Sequence, residues 1–387
     1  MTLDPKLKEY ATDNQWAYLT AYEEHGSDRK AAKALGVAHQ SISQARRLVR
    51  KNAAKHGHAP EHDMIHPAAP GFAVRRVSTM YDADGEVKLQ WVGQDPDKEQ
   101  QMEAFHAMIK GFTDDLPREK PVQVPLDAPS TELMACYPVG DHHLGMLSWD
   151  KETGENYDME ISEKLLIGAT AHLIEKSPEC HTASIILLGD FLHYDSFESV
   201  TPSSRNLLDA DGRFPKMLRA GIRLIRNMIQ MALTKHHKVN VIVEIGNHDL
   251  SSSIFLMECL HNVYENEPRV EIDTSPMHYH YFKFGKCLVG THHGHGTKMS
   301  QLPMVMAADR PEDWGSTKFR YWWTGHIHHD SAKDFHGVKV ESFRILASED
   351  AWAHQKGYRS MPGMKSITLH KDFGEVARNT VNPEMLR

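Results

Sequence analysis

The stretch Leu133-Met134-Ala135-Cys136-Tyr137-Pro138-Val139-Gly140-Asp141-His142-His143 joins an apolar run to an acid and two imidazoles. Working outward from it, the same join recurs four times. The run 184–188 leads into Gly189-Asp190-Phe191-Leu192-His193, and 239–245 leads into Gly246-Asn247-His248-Asp249. The run 286–290 precedes His292-His293-Gly294-His295, and 320–323 precedes Gly325-His326-Ile327-His328. Runs of that length and β-branched content read as buried strands. Ligands gather beyond the carboxyl ends of strands in an open α/β sheet. The five clusters are therefore expected at one edge of one sheet. Imidazole and carboxylate donors without thiolate suit Mn, Fe, Zn or Ni.

At these residues the chain resembles the calcineurin-like metallophosphoesterases. Their pattern runs DxH, GDxxH, GNHD or GNHE, a histidine often within HGH, and GHxH. All five forms stand here in that order between residues 131 and 375, and five in register are far more specific than one. The resemblance implies two mixed sheets flanked by helices and a hydrolase of phosphate esters holding two divalent transition-metal ions, manganese first among them. Such ions lie about 3.5–4 Å apart, clamp a phosphate and acidify a water between them.

Position by position, the resemblance implies Asp141 and His143 as ligands of a first metal and Asp190 as the bridging carboxylate. It implies Asn247, His293 and His326 as ligands of the second metal, with His328 returning to the first. Residues two apart in an extended segment face the same way, so His326 and His328 are expected to share a face. His248 matches a histidine that holds the phosphate or protonates the leaving oxygen. Asp249 is then expected to hydrogen-bond His248 and fix its tautomer. Among the three adjacent candidates His292, His293 and His295, the family's HGH form aligns His293 with the ligand and His295 with the substrate side. His142 and His292 are expected to point away, and His193 to support the site. An ordinary surface histidine is the plain alternative for any one of these residues; five clusters in family order argue against it.

A chain of 387 residues with 40% hydrophobic residues can bury a sizeable core, and two or three domains are expected. No apolar run approaches a membrane span, and 1–6 lack the apolar core of a signal peptide. The four cysteines, Cys136, Cys180, Cys259 and Cys287, are scattered. Reduced thiols and a cytoplasmic location are the simple reading. The net charge of −8 argues against nucleic-acid binding by the whole surface but leaves room for a local basic face.

Such a face is offered near the N-terminus. The spacing predicts a helix over 13–24, a stop at His25-Gly26 and a cap at Ser27 or Asp28. The run Ala32-Lys33-Ala34-Leu35-Gly36-Val37-Ala38-His39-Gln40-Ser41-Ile42 resembles a helix-turn-helix, with Gly36 supplying the turn. A helix over 39–55 follows, carrying Arg46, Arg47, Arg50 and Lys51 and no acid. Such a helix can sit in a DNA major groove and pair with phosphates. A three-helix bundle that contacts protein is the alternative.

Composition divides the chain into a helix-turn-helix domain over 1–57, a linker over 58–72, a β-hairpin plus helix over 73–116 and a Pro-rich linker over 117–130. The α/β metallophosphoesterase domain occupies 131–387. The hairpin is expected to turn at Asp82-Ala83-Asp84-Gly85, with a helix over 98–112. Within the α/β domain, the polar segment 196–214 reads as a lid beside the metals. Its Arg205 and Arg213 are candidates for a second phosphate or a nucleic-acid backbone, or are plain exposed arginines.

The leading expectation is a DNA-directed phosphodiesterase, a nuclease with an attached DNA-binding module. Asp141-His142-His143-Leu144-Gly145 resembles the exonuclease branch that includes SbcD. The layout is also similar to phage-encoded metallophosphoesterases with N-terminal helix-turn-helix segments, which implies a phage or prophage origin. A phosphatase or small-molecule phosphodiesterase with a non-binding tether is the first alternative. A DNA-binding regulator with an inactive phosphoesterase domain is the second, and the intact motifs speak against it.

Overall fold

In a computed structural model, residues 3–60, 72–82, 87–96, 116–121 and 129–386 are described, with single positions at Met64, Ala68, Glu103, Ala107 and Gly111. The chain divides into two compact units, Met1–Lys110 and Gly111–Arg387. Most of the hairpin turn, of the helix expected over 98–112 and of the two linkers lies outside the described residues.

The first unit contains helices α1 (Asp13–His25), α2 (Asp28–Leu35) and α3 (His39–Lys55). Thr12 and Gln15 form a capping box at the start of α1, each side chain accepting from the other's backbone N–H. Gly26 ends α1 in the left-handed region, and the Ser27 hydroxyl accepts from Lys30 N to start α2. Gly36, at φ 66°, makes the turn into α3. Ala21, Ala31, Ala32 and Ile42 are buried against one another, with Val37 packed beside them. Small alanines let the helices approach, and Ile42 fills the gap they leave. Strands β1 (Phe72–Tyr81) and β2 (Val87–Pro96) form an antiparallel hairpin in the same unit.

The second unit is an α/β sandwich of two sheets. The six-stranded sheet has the order β13-β12-β3-β4-β5-β6: β3 (Ser130–Val139), β4 (Cys180–Leu187), β5 (Lys238–Val243), β6 (Val270–Ile272), β12 (Met364–His370) and β13 (Gly374–Val381). Strands β3 to β6 are parallel. Helices Met159–Lys176, Phe214–Leu233 and Leu250–Val263 make the returns between them. The five-stranded sheet has the order β10-β11-β9-β8-β7: β7 (His280–Phe284), β8 (Cys287–His292), β9 (Phe319–Thr324), β10 (Ser331–Phe335) and β11 (Val338–Ser342). Strands β8, β9 and β11 run parallel.

Side-chain alternation builds the core. Cys136, Ile186, Ile242 and Ile367 from the first sheet meet Val289 and Trp323 from the second. One residue along, Leu288 and Trp322 face the other way and pack on Leu302 and Met306. This is the period of two expected of a strand. Among the described residues no helix is long and apolar enough to cross a membrane.

A buried carboxyl also links the sheets. Glu244, just past β5, is fully buried and accepts a hydrogen bond from the Thr291 hydroxyl on β8. Burial pushes its pKa up to about 7. An unfolded glutamate titrates near about 4.3, so the native state holds the extra proton between these values. The stability from that proton is complete below the unfolded pKa and lost as pH rises through the folded one. Glu244→Gln is therefore expected to gain stability relative to the parent chain between about pH 5 and about pH 8. Urea midpoints at the two pH values measure this, and an unchanging difference would contradict it.

Candidate metal centre

Each cluster begins where a strand stops. Asp141 and His143 follow β3, Asp190 follows β4, and Asn247 and His248 follow β5. His293 follows β8, while His326 and His328 follow β9. The expectation of one sheet edge is thus corrected: three clusters end strands of the six-stranded sheet and two end strands of the five-stranded sheet. The reason lies in pairing, because β8 and β9 pair with each other, β7 and β11, and not with β5. Face-to-face packing brings the two edges side by side.

The loops are drawn very close. A Cβ on Gly246 would collide with Asp190, and one on Gly325 with the Asp141 carboxylate. His143, Asp190, His326 and His328 all take left-handed backbones, with φ of 47°, 48°, 70° and 57°. Such conformations cost on the order of 1–3 kcal/mol each in a non-glycine residue and cluster at functional sites. They also correct the account of His326 and His328. The segment bends and is not an extended strand, and the two left-handed turns, not strand alternation, bring both imidazoles inward.

Two ligand groups result. Asp141, His143 and His328 form one, and Asp190, His293 and His326 the other, with one donor atom per residue and all donors of a group within 4.8 Å of one another. In the first, His328 Nε2 lies 3.0 Å from Asp141 Oδ2 and 3.3 Å from His143 Nε2. In the second, His293 Nε2 lies 3.2 Å from Asp190 Oδ2 and 3.0 Å from Asn247 Oδ1. His293 donates from Nδ1 to the Leu188 carbonyl at 2.8 Å, which leaves its Nε2 lone pair free for a cation. Asp190 Oδ1 accepts from His248 N at 2.7 Å, leaving Oδ2 open to the cluster.

The charge balance suits a cation. Burial would lower the pKa of His293, yet Asp190 and Asp141 raise it to about 10. His328 is raised as well, against burial, by Asp141 and then Asp190. A site that pulls protons so strongly onto imidazole exchanges them for a divalent ion. Two carboxylates, four imidazoles and an amide oxygen fit a pair of borderline transition ions.

A third group, His143, His193 and His248, shares His143 with the first. His193 Nδ1 lies 3.3 Å from His143 Nδ1. His142 and His292 point elsewhere, His142 to the Ser162 hydroxyl at 2.9 Å and His292 to Gly294 N at 2.9 Å. His295 is exposed, its ring 5.2 Å from that of His293.

Several expected roles are overturned. Asp249 does not reach the His248 ring. It is fully buried and accepts from Gly246 N, Asp190 N and Leu192 N, at 3.1, 3.2 and 3.0 Å. Burial, and then Asp190, push its pKa up to about 7. The tautomer of His248 is set instead by the His193 carbonyl, which accepts from Nδ1 at 2.8 Å. Arg205 and Arg213 do not line the cleft beside the ligand groups. Arg205 pairs with Glu198 at 2.5 Å, and Arg213 is exposed at the start of helix Phe214–Leu233. In the first unit Arg46 is committed within the fold. It pairs with Asp28 at 2.8 Å and lies 3.4 Å over the Tyr22 ring. Arg47, Arg50 and Lys51 are exposed.

The cleft has a volume of 760 Å³. Its floor includes His143, Asp190, Asn247, His248 and His328, and residues of the expected lid, from Thr201 to Asp209, form one wall. Trp352, Tyr358 and Arg359 also line the cleft, and sequence reasoning misses them because 348–362 carry neither motif nor periodicity.

No family model and no curated protein matches the chain. Solved structures do. A dimetal phosphatase from Danio rerio is 10% identical, with a TM-score of 0.34, over 66% of this chain and 99% of that one. An archaeal phosphodiesterase is 13% identical, with a TM-score of 0.32, over 64% of this chain and 98% of that one. At these values the site's own geometry carries the functional reading.

Two predictions separate the roles of the carboxylates. Parent protein loaded with manganese is expected to hold about two ions per chain, and Asp190→Asn fewer than one, by elemental analysis after gel filtration. Asp249→Ala strands three buried N–H groups, each worth on the order of 1–3 kcal/mol. It should cost about 3 kcal/mol or more in urea unfolding, and a loss below about 1 kcal/mol would refute the role of Asp249 in holding the Gly246 and Asp190 loops together.

Proposed function

We propose that the protein is a two-metal hydrolase of phosphate esters. The carrying observation is the meeting of two ligand groups, Asp141-His143-His328 and Asp190-His293-His326, across two sheet edges. Asn247 adds an amide oxygen beside His293. A pair of divalent cations held there supplies neutralisation of phosphate charge and acidification of water.

The chain's own residues supply the rest. His248 holds its Nδ1 proton on the His193 carbonyl, so Nε2 is the atom that faces the cluster, 4.0 Å from Asp190 Oδ2. From that position it steadies the phosphate or gives a proton to the departing oxygen. The burial of Asp141, Asp190 and His293 keeps bulk water from screening these charges.

Two substrate readings follow, each with its own support. A DNA-directed phosphodiesterase is supported by Arg47, Arg50 and Lys51, exposed on the acid-free α3. A small phosphodiester is supported by the lining of the cleft, which holds one arginine among several acids.

The test is turnover of bis(p-nitrophenyl) phosphate, a nucleotide monophosphate and labelled oligonucleotides, with and without manganese. Metal-dependent release from at least one is expected, and none from any would refute the reading. His248→Ala should lower turnover by about 10²–10⁴, as for loss of a positioned proton donor, while metal content stays near normal. Loss of metal in that variant would make His248 a ligand. For the N-terminal unit, replacing Arg47, Arg50 and Lys51 with Ala should weaken DNA binding and flatten its salt dependence. Anisotropy titrations at several salt concentrations decide this, and an intact protein without salt-sensitive affinity overturns the DNA-directed form.

A further inference from the structure

The cleft carries a charge pattern that narrows the substrate. Beyond the ligand groups its lining presents Glu155, Asp209, Glu349 and Asp350. Against them stands one guanidinium, Arg359, already paired with Glu349 Oε2 at 2.9 Å. A polynucleotide lying here would bring each further phosphate against carboxylates, with no spare lysine or arginine among the described lining residues. Like charges so placed repel. A single phosphate avoids the conflict, because its charge is met at the ligand groups.

The same wall offers something else. Trp352 and Tyr358 both line the cleft and are each 59% exposed. Their ring centroids lie 5.7 Å apart at an interplanar angle of 54°. Large aromatic rings left open beside a polar site provide faces on which a planar group stacks.

We propose that the cleft takes a phosphodiester with one phosphate and a nucleoside-sized planar group, the phosphate at the ligand groups and the planar group against Trp352 and Tyr358. This rests on the phosphoesterase reading. In the reaction the oxygen of water bonds to phosphorus and one ester P–O bond breaks. The released alcohol takes a proton, and a phosphomonoester remains.

Two chromogenic esters with the same leaving group isolate the contact: thymidine 5′-(p-nitrophenyl phosphate) and methyl p-nitrophenyl phosphate, assayed with the manganese-loaded full chain. The parent should prefer the thymidine ester in kcat/KM. Trp352→Ala and Tyr358→Ala should each cut that preference about tenfold, the effect of losing one stacked ring. Trp352→Phe should restore most of it, and metal content in each variant checks folding. A decathymidylate should compete with the thymidine ester no better than a mononucleotide does. A preference unmoved in both alanine variants, or a decathymidylate competing more than tenfold better, overturns the inference and leaves the phosphoesterase intact. If the loaded parent hydrolyses neither ester, this inference fails, and the phosphoesterase reading fails with it only when the nucleotide monophosphate and the oligonucleotides are left intact as well.

Discussion

Three carboxylates, Asp141, Asp190 and Asp249, are buried almost completely within one small region. Like charges taken out of water so close together are costly, and the surrounding structure answers that cost. Asp141 accepts from His326 N at both oxygens, 3.0 and 2.8 Å away. Asp190 accepts from the backbone of the Asn247 loop, and Asp249 in that loop accepts from Asp190 N and Leu192 N. Each loop thereby anchors a neighbour's carboxylate. The left-handed backbones at Asp190 and His326 belong to residues whose own N–H groups take part in this lacing. Glycines at 246 and 325 are needed because the lacing leaves no room for a Cβ.

Legibility in the sequence followed the range of the interaction. The strand runs before Asp141, Asp190 and Asn247 were readable, because burial on both faces leaves an unbroken apolar string. The cap at Ser27, the turn at Gly36 and the span of α3 were readable from residues within a few positions. Three edge strands of the α/β unit were not. β6 has three residues, and β10 and β13 are half exposed and mixed in composition. Asp249 was misassigned because its partners are backbone N–H groups, which have no letter in the sequence. Arg46 looked free because Asp28 lies eighteen positions earlier, beyond any local pattern.

The division of ligands between two sheets was also hidden. Five strand ends followed by histidines look alike in sequence, whichever sheet each strand joins. Only the pairing of β8 with β9 and β7, and the interdigitation of Val289 and Trp323 with Ile186 and Ile367, decides the matter. The wall containing Trp352 and Tyr358 belongs to the same class, since a bend after β11 brings it to the cleft.

That division has a mechanical consequence. Ions held by His293 and His326 on one side and by Asp141 and Asp190 on the other would tie together two layers that otherwise adhere through apolar contact and polar links such as Glu244 with Thr291. Sliding of one layer over the other would then pull the two sets of ligand residues apart. Occupancy of such ions and tightness of the seam between layers would then be coupled by mass action. A chelator would act on this protein as a selective lubricant of that seam, far from any surface it touches.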